Sequence, residues 1–435
     1  MLSFNWLYFI NNSGPSMLIE ATSQTTEGHV YILSGDDDIH IGSDVTIRSN
    51  LTDAITTWTG AHVFTVDGTI IGEDECINTI GCDAAQSVVI NAGAKLISGG
   101  DGVVTDADGV ILDGIGSTMT NAGDIHSYGS AASLFVRDAG TTTVSNSGTM
   151  YGRVSGVWHK FGIGTLIFNN SGTVESPNNA FWGGASTDIV TNTGMMRGGV
   201  DLGAGNDVLN NKGGTVTGLI LGGDGDDRFV LSTTAETIDG GAGFDTLDLS
   251  SYTSAVLIDL MVAANNRGAA ALRDSFSGIE AIIGTTRADV MRGDAGDNLF
   301  SGLAGSDNLS GGAGADTLEG GAGADVLTGG DGADVFLFTA SKGMNDRITD
   351  FVAGVDQIRL EGSAFGYGQG TGAISADYFV AQTSLTVTDA SDHFIFRTTD
   401  NTLWFDSDGS GRRAAVLIAD LQDGATMTSA DIWLI

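Results

Sequence analysis

Residues Gly284 to Leu337 read GTTRADVMR, GDAGDNLFS, GLAGSDNLS, GGAGADTLE, GGAGADVLT and GGDGADVFL, one nine-residue unit repeated six times without a break. A fixed short period marks a stacked repeat architecture and takes precedence over any other reading. Glycines at the first, second and fourth places allow backbone angles that a β-carbon excludes, so the chain turns tightly there and aims successive carbonyls inward. The last three residues of each unit predict a short strand. Its middle residue, Met291, Phe300, Leu309, Leu318, Leu327 or Phe336, points into a narrow core while its neighbours face out. A turn plus a strand is half a coil, so each unit is expected to stack on its second neighbour, eighteen residues away. Asp289, Asp307 and Asp325 then line one edge, and Asn298, Asp316 and Asp334 the other.

Columns of carboxylates at strand spacing, about 4.8 Å, repel one another unless a cation sits between them. Carboxylates with exposed carbonyls make a hard, all-oxygen site. That favours Ca²⁺ over Mg²⁺, which demands a stricter octahedron and keeps its water. A metal-free Gly/Asp linker would not carry a large apolar residue at every ninth place.

The stretch resembles the RTX (repeat-in-toxin, haemolysin-type) calcium-binding β-roll. The resemblance implies a right-handed parallel β-roll with Ca²⁺ held between turns by the sixth-place aspartates and by carbonyls of the glycine-rich loops. Two further complete units lie upstream, GGDGDD at Gly222 to Asp227 and GGAGFD at Gly240 to Asp245, with Leu231 to Asp239 as a degraded half-turn between them. Carried over position by position, the implied ligand aspartates are Asp227, Asp245, Asp289, Asp307, Asp316, Asp325 and Asp334. The implied turn residues are Gly222, Asp224, Gly240, Gly302, Gly311, Gly312, Ala313, Gly314, Gly320, Gly321, Ala322, Gly323, Gly329 and Asp331. Counting gaps between stacked turns gives about five sites. An earlier unit, Gly203 to Leu209, has Leu202 where the first Gly belongs; Arg287 and Asn298 are departures within the main run.

Composition agrees with a cation-binding repeat protein. Eighteen basic against fifty-four acidic residues give a net charge of −36 over 435 residues, which argues against nucleic acid or an anionic membrane as partner. Sixty-six Gly, with short alternations of Thr, Val and Ile, read as all-β, and 41% hydrophobic residues are enough for a long thin core. Cys76 and Cys82 lie six apart; a small disulfide loop and two free thiols fit the sequence equally, and neither makes a zinc site. The apolar start MLSFNWLYFI has no basic residue before Arg48, so it is a poor export signal and too short to span a bilayer. It reads as a first strand, or as a mis-assigned start with Met17 as the true one.

Between Val63 and Val216 a looser repeat appears. Asn-x-Gly recurs at Asn91, Asn121, Asn146, Asn170, Asn192 and Asn211, each preceded two residues earlier by an apolar residue: Val89, Met119, Val144, Phe168, Val190 and Leu209. Ile125, Met150, Val174 and Met196 follow the glycines, and Asp67-Gly68 is a degenerate seventh case. This predicts one coil of a β-solenoid per unit, with an Asn ladder running through the turns. The region faintly resembles the parallel β-helices of bacterial surface proteins.

The stretch at 249–283 reads as an insert of two longer strands packed on the roll. Asp346 to Leu360 reads as a capping strand hairpin. TLWFDSDGSGRRAAVLIADL reads as a hairpin with an Asp-Gly turn, because Leu417 stands where an EF-hand loop needs Glu. The ending SADIWLI resembles the uncleaved carboxy-terminal signal of type I secretion substrates, which implies a type I secretion ABC transporter as partner. Two acidic turns, Gly99 to Gly102 and Gly35 to Ile39, imitate calcium turns without completing the unit. No H-E-x-x-H and no G-x-S-x-G occurs, so metalloprotease and lipase chemistry lack their motifs. For a lyase or epimerase built on the solenoid, Trp158-His159-Lys160 with Arg153 is the nearest candidate; as bland residues they read as a solvated loop.

The expectation is an all-β chain: a parallel β-solenoid over 1–200, a calcium-binding parallel β-roll over 201–338, and a β cap with secretion signal over 339–435. The function expected is a secreted Ca²⁺-binding protein that folds outside the cell and presents a structural or adhesive surface to a cell-surface or polysaccharide partner. The alternative is a secreted polysaccharide lyase or epimerase-like enzyme.

Overall fold

The computed structural model describes residues 8–10, 18–26, 30–33, 36–99, 107–136, 139–268, 273–339, 345–365, 371–386, 393–409 and 414–435. Gly100 to Gly102 of the first calcium-like stretch, Gly35 of the second, Met17, Ser410 and Gly411 lie outside them. The chain forms two compact units, one of residues 1–232 and 236–243, the other of residues 233–235 and 244–435. Apart from three single 3-10 turns every described element is a strand, and almost all pairings are parallel. Among the described residues no helix is long and apolar enough to cross a membrane.

The first unit is a parallel β-solenoid with three rows of strands. One coil runs Thr141–Asn146, Thr149–Gly152 and Ser155–Gly162, and each strand pairs in parallel with its counterpart in the coils before and after. Alternation puts Met119, Val144, Phe168, Val190 and Leu209 in the core with Ile125, Met150, Val174 and Met196, all at most 1% exposed. Val89 departs from this. Val88 pairs with Met119 and Ile90 with Asn121, so the strand Ser87–Ile90 buries Val88 and Ile90 and turns Val89 outward. Asn91 therefore stands one residue beyond the register of Asn121, and its side chain donates to Asp67 (2.8 Å), the degenerate seventh turn.

From Asn121 onward the ladder is continuous and buried. Asn121 donates to Asn146 (2.8 Å), Asn146 to Asn170 (2.8 Å), Asn170 to Asn192 (2.7 Å), and Asn192 to Asn211 (2.7 Å), which hands its amide to Glu236. Each amide thus satisfies its neighbour's carbonyl in a place water does not reach. Replacing Asn146 by Ala leaves the Oδ1 of Asn170 without that donor and takes the acceptor from Asn121. Burying polar groups in that state costs about 1–3 kcal/mol each. We expect a loss of about 2–4 kcal/mol in chemical denaturation, and an effect below about 0.5 kcal/mol for the exposed Ser171→Ala beside it. Cys76 and Cys82 are buried free thiols, so the small disulfide loop is not formed; burial pushes the Cys76 thiol up to about 12.

The second unit has two rows. Phe300 pairs with Leu318 and Leu318 with Phe336 on one, Met291 with Leu309 and Leu309 with Leu327 on the other, which is the eighteen-residue coil. All six are 0% exposed. The 249–283 stretch is not a pair of longer strands lying on the roll. Its three-residue strands Leu257–Asp259 and Ala281–Ile283 are rungs of the two rows, pairing with Val290–Arg292 and Leu299–Ser301, because Ile258 and Ile282 supply the inward residue those positions require.

Nor is Asp346 to Leu360 a hairpin. Asp346–Ile348 continues one row from Val326–Asp331, and Gln357–Leu360 the other from Val335–Phe338. The final strand Ile432–Leu434 adds a parallel rung beyond Gln357–Leu360. The Asp-Gly hairpin is present, with Thr402–Phe405 antiparallel to Val416–Leu421.

Candidate metal centre

The repeat turns are built by contact between backbones. Gly330 holds φ +110°, and a β-carbon there would sit 2.0 Å from the carbonyl oxygen of Gly312 in the coil before. Successive turns therefore stack backbone on backbone, and only glycine allows the approach. The first place serves another purpose. An added β-carbon at Gly302, Gly311, Gly320 or Gly329 would meet, at 2.4, 2.1, 2.4 and 2.2 Å, the Oδ2 of Asp307, Asp316, Asp325 and Asp334 of the same unit.

Those aspartates form two ladders. On one edge the amide of Asp289 donates to Oδ1 of Asp307 (2.7 Å), that of Asp307 to Asp325 (2.7 Å), and that of Asp325 to Asp346 (2.9 Å). On the other, Asn298 donates to Asp316 (2.8 Å), Asp316 to Asp334 (3.0 Å), and Asp334 to Asp356 (3.0 Å). The second oxygen of each carboxylate is different: Oδ2 of Asp307, Asp316, Asp325 and Asp334 is shut away from solvent with no hydrogen-bond partner. Burial pushes Asp307 up to about 7 and Asp316 up to about 6, and the carboxylates stacked beside them add to the shift. Asp325, Asp334 and Asp346 are raised for the same first cause, burial.

An unmatched buried carboxylate oxygen is costly unless something positive reaches it. The donor set at Asp307, Asp316, Asp325 and Asp334 is all oxygen and open at a glycine, and it fits a hard divalent cation. Asp289 differs from its neighbours. Its Oδ1 accepts from the Val256 amide (2.8 Å) and the Thr285 hydroxyl (3.0 Å), and its Oδ2 from the Thr285 amide (2.6 Å), so protein groups occupy it where Thr285 and Arg287 replace turn glycines. Asp245 is buried, with its amide on the Glu280 carboxylate (2.8 Å). Asp224 and Asp331 expose their side chains and take part through their carbonyls, which accept from Gly205 and Gly314.

The first unit carries the same device. The amide of Asp188 donates to Oδ1 of Asp207 (2.6 Å), and that of Asp207 to Asp227 (2.8 Å); Oδ2 of Asp207 has no partner, and burial pushes this carboxyl up to about 8. Sequence reasoning passed over Asp207, Asp346, Asp356 and Glu280 as members of the ladders. For Asp346 and Asp356 the signal was present: Asp346-Arg347-Ile348 and Asp356-Gln357-Ile358 keep the Asp-x-apolar end of the unit after its glycines are gone.

Two other groups of titratable residues lie in the first unit. Asp53, Asp74 and Glu75 bring carboxylate oxygens within 4.8 Å of one another; burial, then Asp53, pushes Glu75 up to about 10, so it keeps its proton. Trp158-His159-Lys160 is no solvated loop. It lies in the strand Ser155–Gly162, where alternation turns His159 into the core, 1% exposed, with Nδ1 on Asp188 Oδ1 (2.7 Å). A base in that position does not reach a sugar on the surface.

Fold and ladders together define a calcium-binding repeat solenoid. Residues 213–247, 274–309 and 301–336 match the family model of the RTX calcium-binding nonapeptide repeat, in four copies, and these stretches are RTX repeats that bind calcium. No curated protein matches the chain. Among solved structures, the solution structure of a subunit from the Azotobacter vinelandii mannuronan C5-epimerase is similar at 29% identity over 34% of this chain and 77% of that one, with a TM-score of 0.24.

Proposed function

We propose that this is a secreted protein whose repeats fold on Ca²⁺ outside the cell, its first-unit solenoid serving as an adhesive or structural surface. The observation that carries this is the row of buried, partnerless Oδ2 atoms, each opposite a first-place glycine. In this reading Asp307, Asp316, Asp325 and Asp334 hold the ions with carbonyls of the glycine turns, and Asp207 and Asp227 serve the first unit in the same way. Bound calcium supplies the positive charge that lets these carboxylates stay ionised and buried. Where free calcium is scarce the ladders repel and the chain stays extended enough for a type I exporter; outside, binding free energy becomes folding free energy.

Calorimetric titration of the full chain tests the extracellular reading. The expected dissociation constants lie at roughly 10⁻⁴ to 10⁻³ M, as in extracellular modules, with no structural response to Mg²⁺. Affinity below about 10⁻⁷ M, a cytosolic range, overturns it. Proton competition adds a sign. Because the folded-state pKa values of Asp307 and Asp316 are raised, the stability of the metal-free roll is fully present below about pH 4 and is lost as pH rises through about 6 to 7. Calcium needs the same groups deprotonated, so its affinity rises over that span. The melting temperature of metal-free protein should fall from pH 5 to pH 8 while the calcium-induced increment grows.

A further inference from the structure

In a chain of net charge −36, basic side chains are expected to sit against carboxylates, and several do. Arg197 pairs with Glu175 (3.2 Å), Arg292 with Asp259 (3.7 Å), and Arg397 with Asp400. Arg153 and Lys160 do not. The Arg153 guanidinium lies 5.7 Å over the Tyr128 ring and the Lys160 ammonium 4.6 Å over the Trp158 ring. Rings hold these two cations in place without neutralising them. Both belong to one coil: Arg153 stands in the turn before the strand Ser155–Gly162, and Lys160 near its end. Pairing with Ser130–Val136 shifts register there, Leu134 facing His159 and Phe135 facing Phe161, so Lys160 is the extra residue of a bulge. Bulges of this kind re-aim a side chain.

Around the two cations lies an aromatic surface unusual for an outer sheet face. Trp158 stacks on Trp182 (4.8 Å, 10°), Phe135 meets Phe161 (5.5 Å), and His126 stacks on Tyr151 (4.5 Å). Trp182 is 37% exposed, Phe161 64% and Ile163 74%. Beside Arg153 a cavity of about 230 Å³ is lined by His126, Ser127, Tyr128 and Tyr151. Exposed apolar rings bordered by hydroxyls and by uncompensated charge mark a binding surface.

We propose that this face binds an extended acidic polysaccharide, its sugar rings lying on Trp182, Phe161 and the tyrosines and its carboxylates on Arg153 and Lys160. Sugars present apolar C–H faces and hydroxyl edges together, which is what rings interleaved with Ser and Tyr hydroxyls match. Arg153 in the turn and Lys160 near the end of the strand stand seven residues apart, which gives an extended ligand two separate points for its carboxylates. Nucleic acid, with one charge per about 1.7 Å of duplex, is repelled by the net charge of the chain more strongly than a polymer with one carboxylate per sugar. The strands bearing the site are paired on both sides, so they leave no edge for a peptide to extend. The inference deepens the adhesive reading of the solenoid and rests on it.

The test is calorimetry of the calcium-loaded full chain with soluble oligogalacturonates, their methyl esters, neutral dextran, duplex DNA and an acidic peptide. The expected result is binding to oligogalacturonate, at least tenfold weaker to the ester, and weakened at least tenfold by Arg153→Gln with Lys160→Gln or by Trp182→Ala. Calcium titration of the same variants should be unchanged, which separates a failure here from a failure of calcium-driven folding. Absence of saccharide binding, affinity indifferent to these substitutions, or preference for DNA or the acidic peptide overturns the proposal.

Discussion

Full-length protein stripped of calcium at pH 7.5 is expected to lose a large part of its parallel-β circular-dichroism signal and to regain it on adding millimolar Ca²⁺ but not Mg²⁺. Burial raises the carboxyls of Asp307 and Asp316, to about 7 and about 6, so raising the pH toward 7.5 drives both toward the charged form. Each is nevertheless 1% exposed or less, with one oxygen bonded to the preceding rung and the other to nothing. The cost of an uncompensated buried carboxylate is several kcal/mol. The two together take up much of what a domain of this size has in reserve, about 5–15 kcal/mol. The loss should be concentrated in the second unit. The Asn ladder of the first unit is neutral and satisfied without metal, and should leave a residual β signal. A spectrum equally β-rich in EDTA and in calcium would sink the coupling.

The second large effect is expected from Gly323→Ala. This residue holds φ +153°, and an added β-carbon would lie 1.6 Å from the carbonyl oxygen of Gly305 in the coil before. Neither the angle nor the distance can be met without opening the stack of turns, since the obstacle is backbone. We expect a loss of about 3 kcal/mol or more in calcium, by chemical denaturation, with weaker calcium binding on the Asp307–Asp325–Asp346 edge. Gly296→Ala is the matched control. It occupies the same fourth place, but its φ is ordinary and its nearest neighbour is Asp294 Oδ1 at 3.5 Å, so the change should stay within about 0.5 kcal/mol. Equal effects at the two positions would mean that the turns are not held by backbone contact.

Much of this fold was legible because its periods are short. Nine residues set the roll, since Phe300, Leu318 and Phe336 recur at a spacing no other architecture needs. Asn-x-Gly set the solenoid, although Val89 and Asn91 show how one residue of phase escapes a pattern read by eye. Where the period breaks, the reading failed. Asp346 to Leu360 alternates as a hairpin would, and alternation alone does not say whether a strand's partner is its sequence neighbour or a rung one coil away. His159 read as a loop residue because a polar side chain next to Lys160 gives no sign of an inward position.

The aspartates at the sixth place, the apolar core positions, the all-β class and the affinity for calcium follow from the sequence alone, because a repeated unit constrains every copy of itself to one local geometry. Tertiary structure decided what depends on neighbours across coils. It gave each carboxylate one satisfied oxygen and one that has no partner, and it enlisted Asp346 and Asp356 from outside the repeats. It also brought Tyr128, Trp158 and Trp182 from three successive coils to the two cations that no carboxylate claims. The physical reason is that stacking in a solenoid joins residues some twenty positions apart, and the chain's local pattern carries no record of what those neighbours leave unsatisfied.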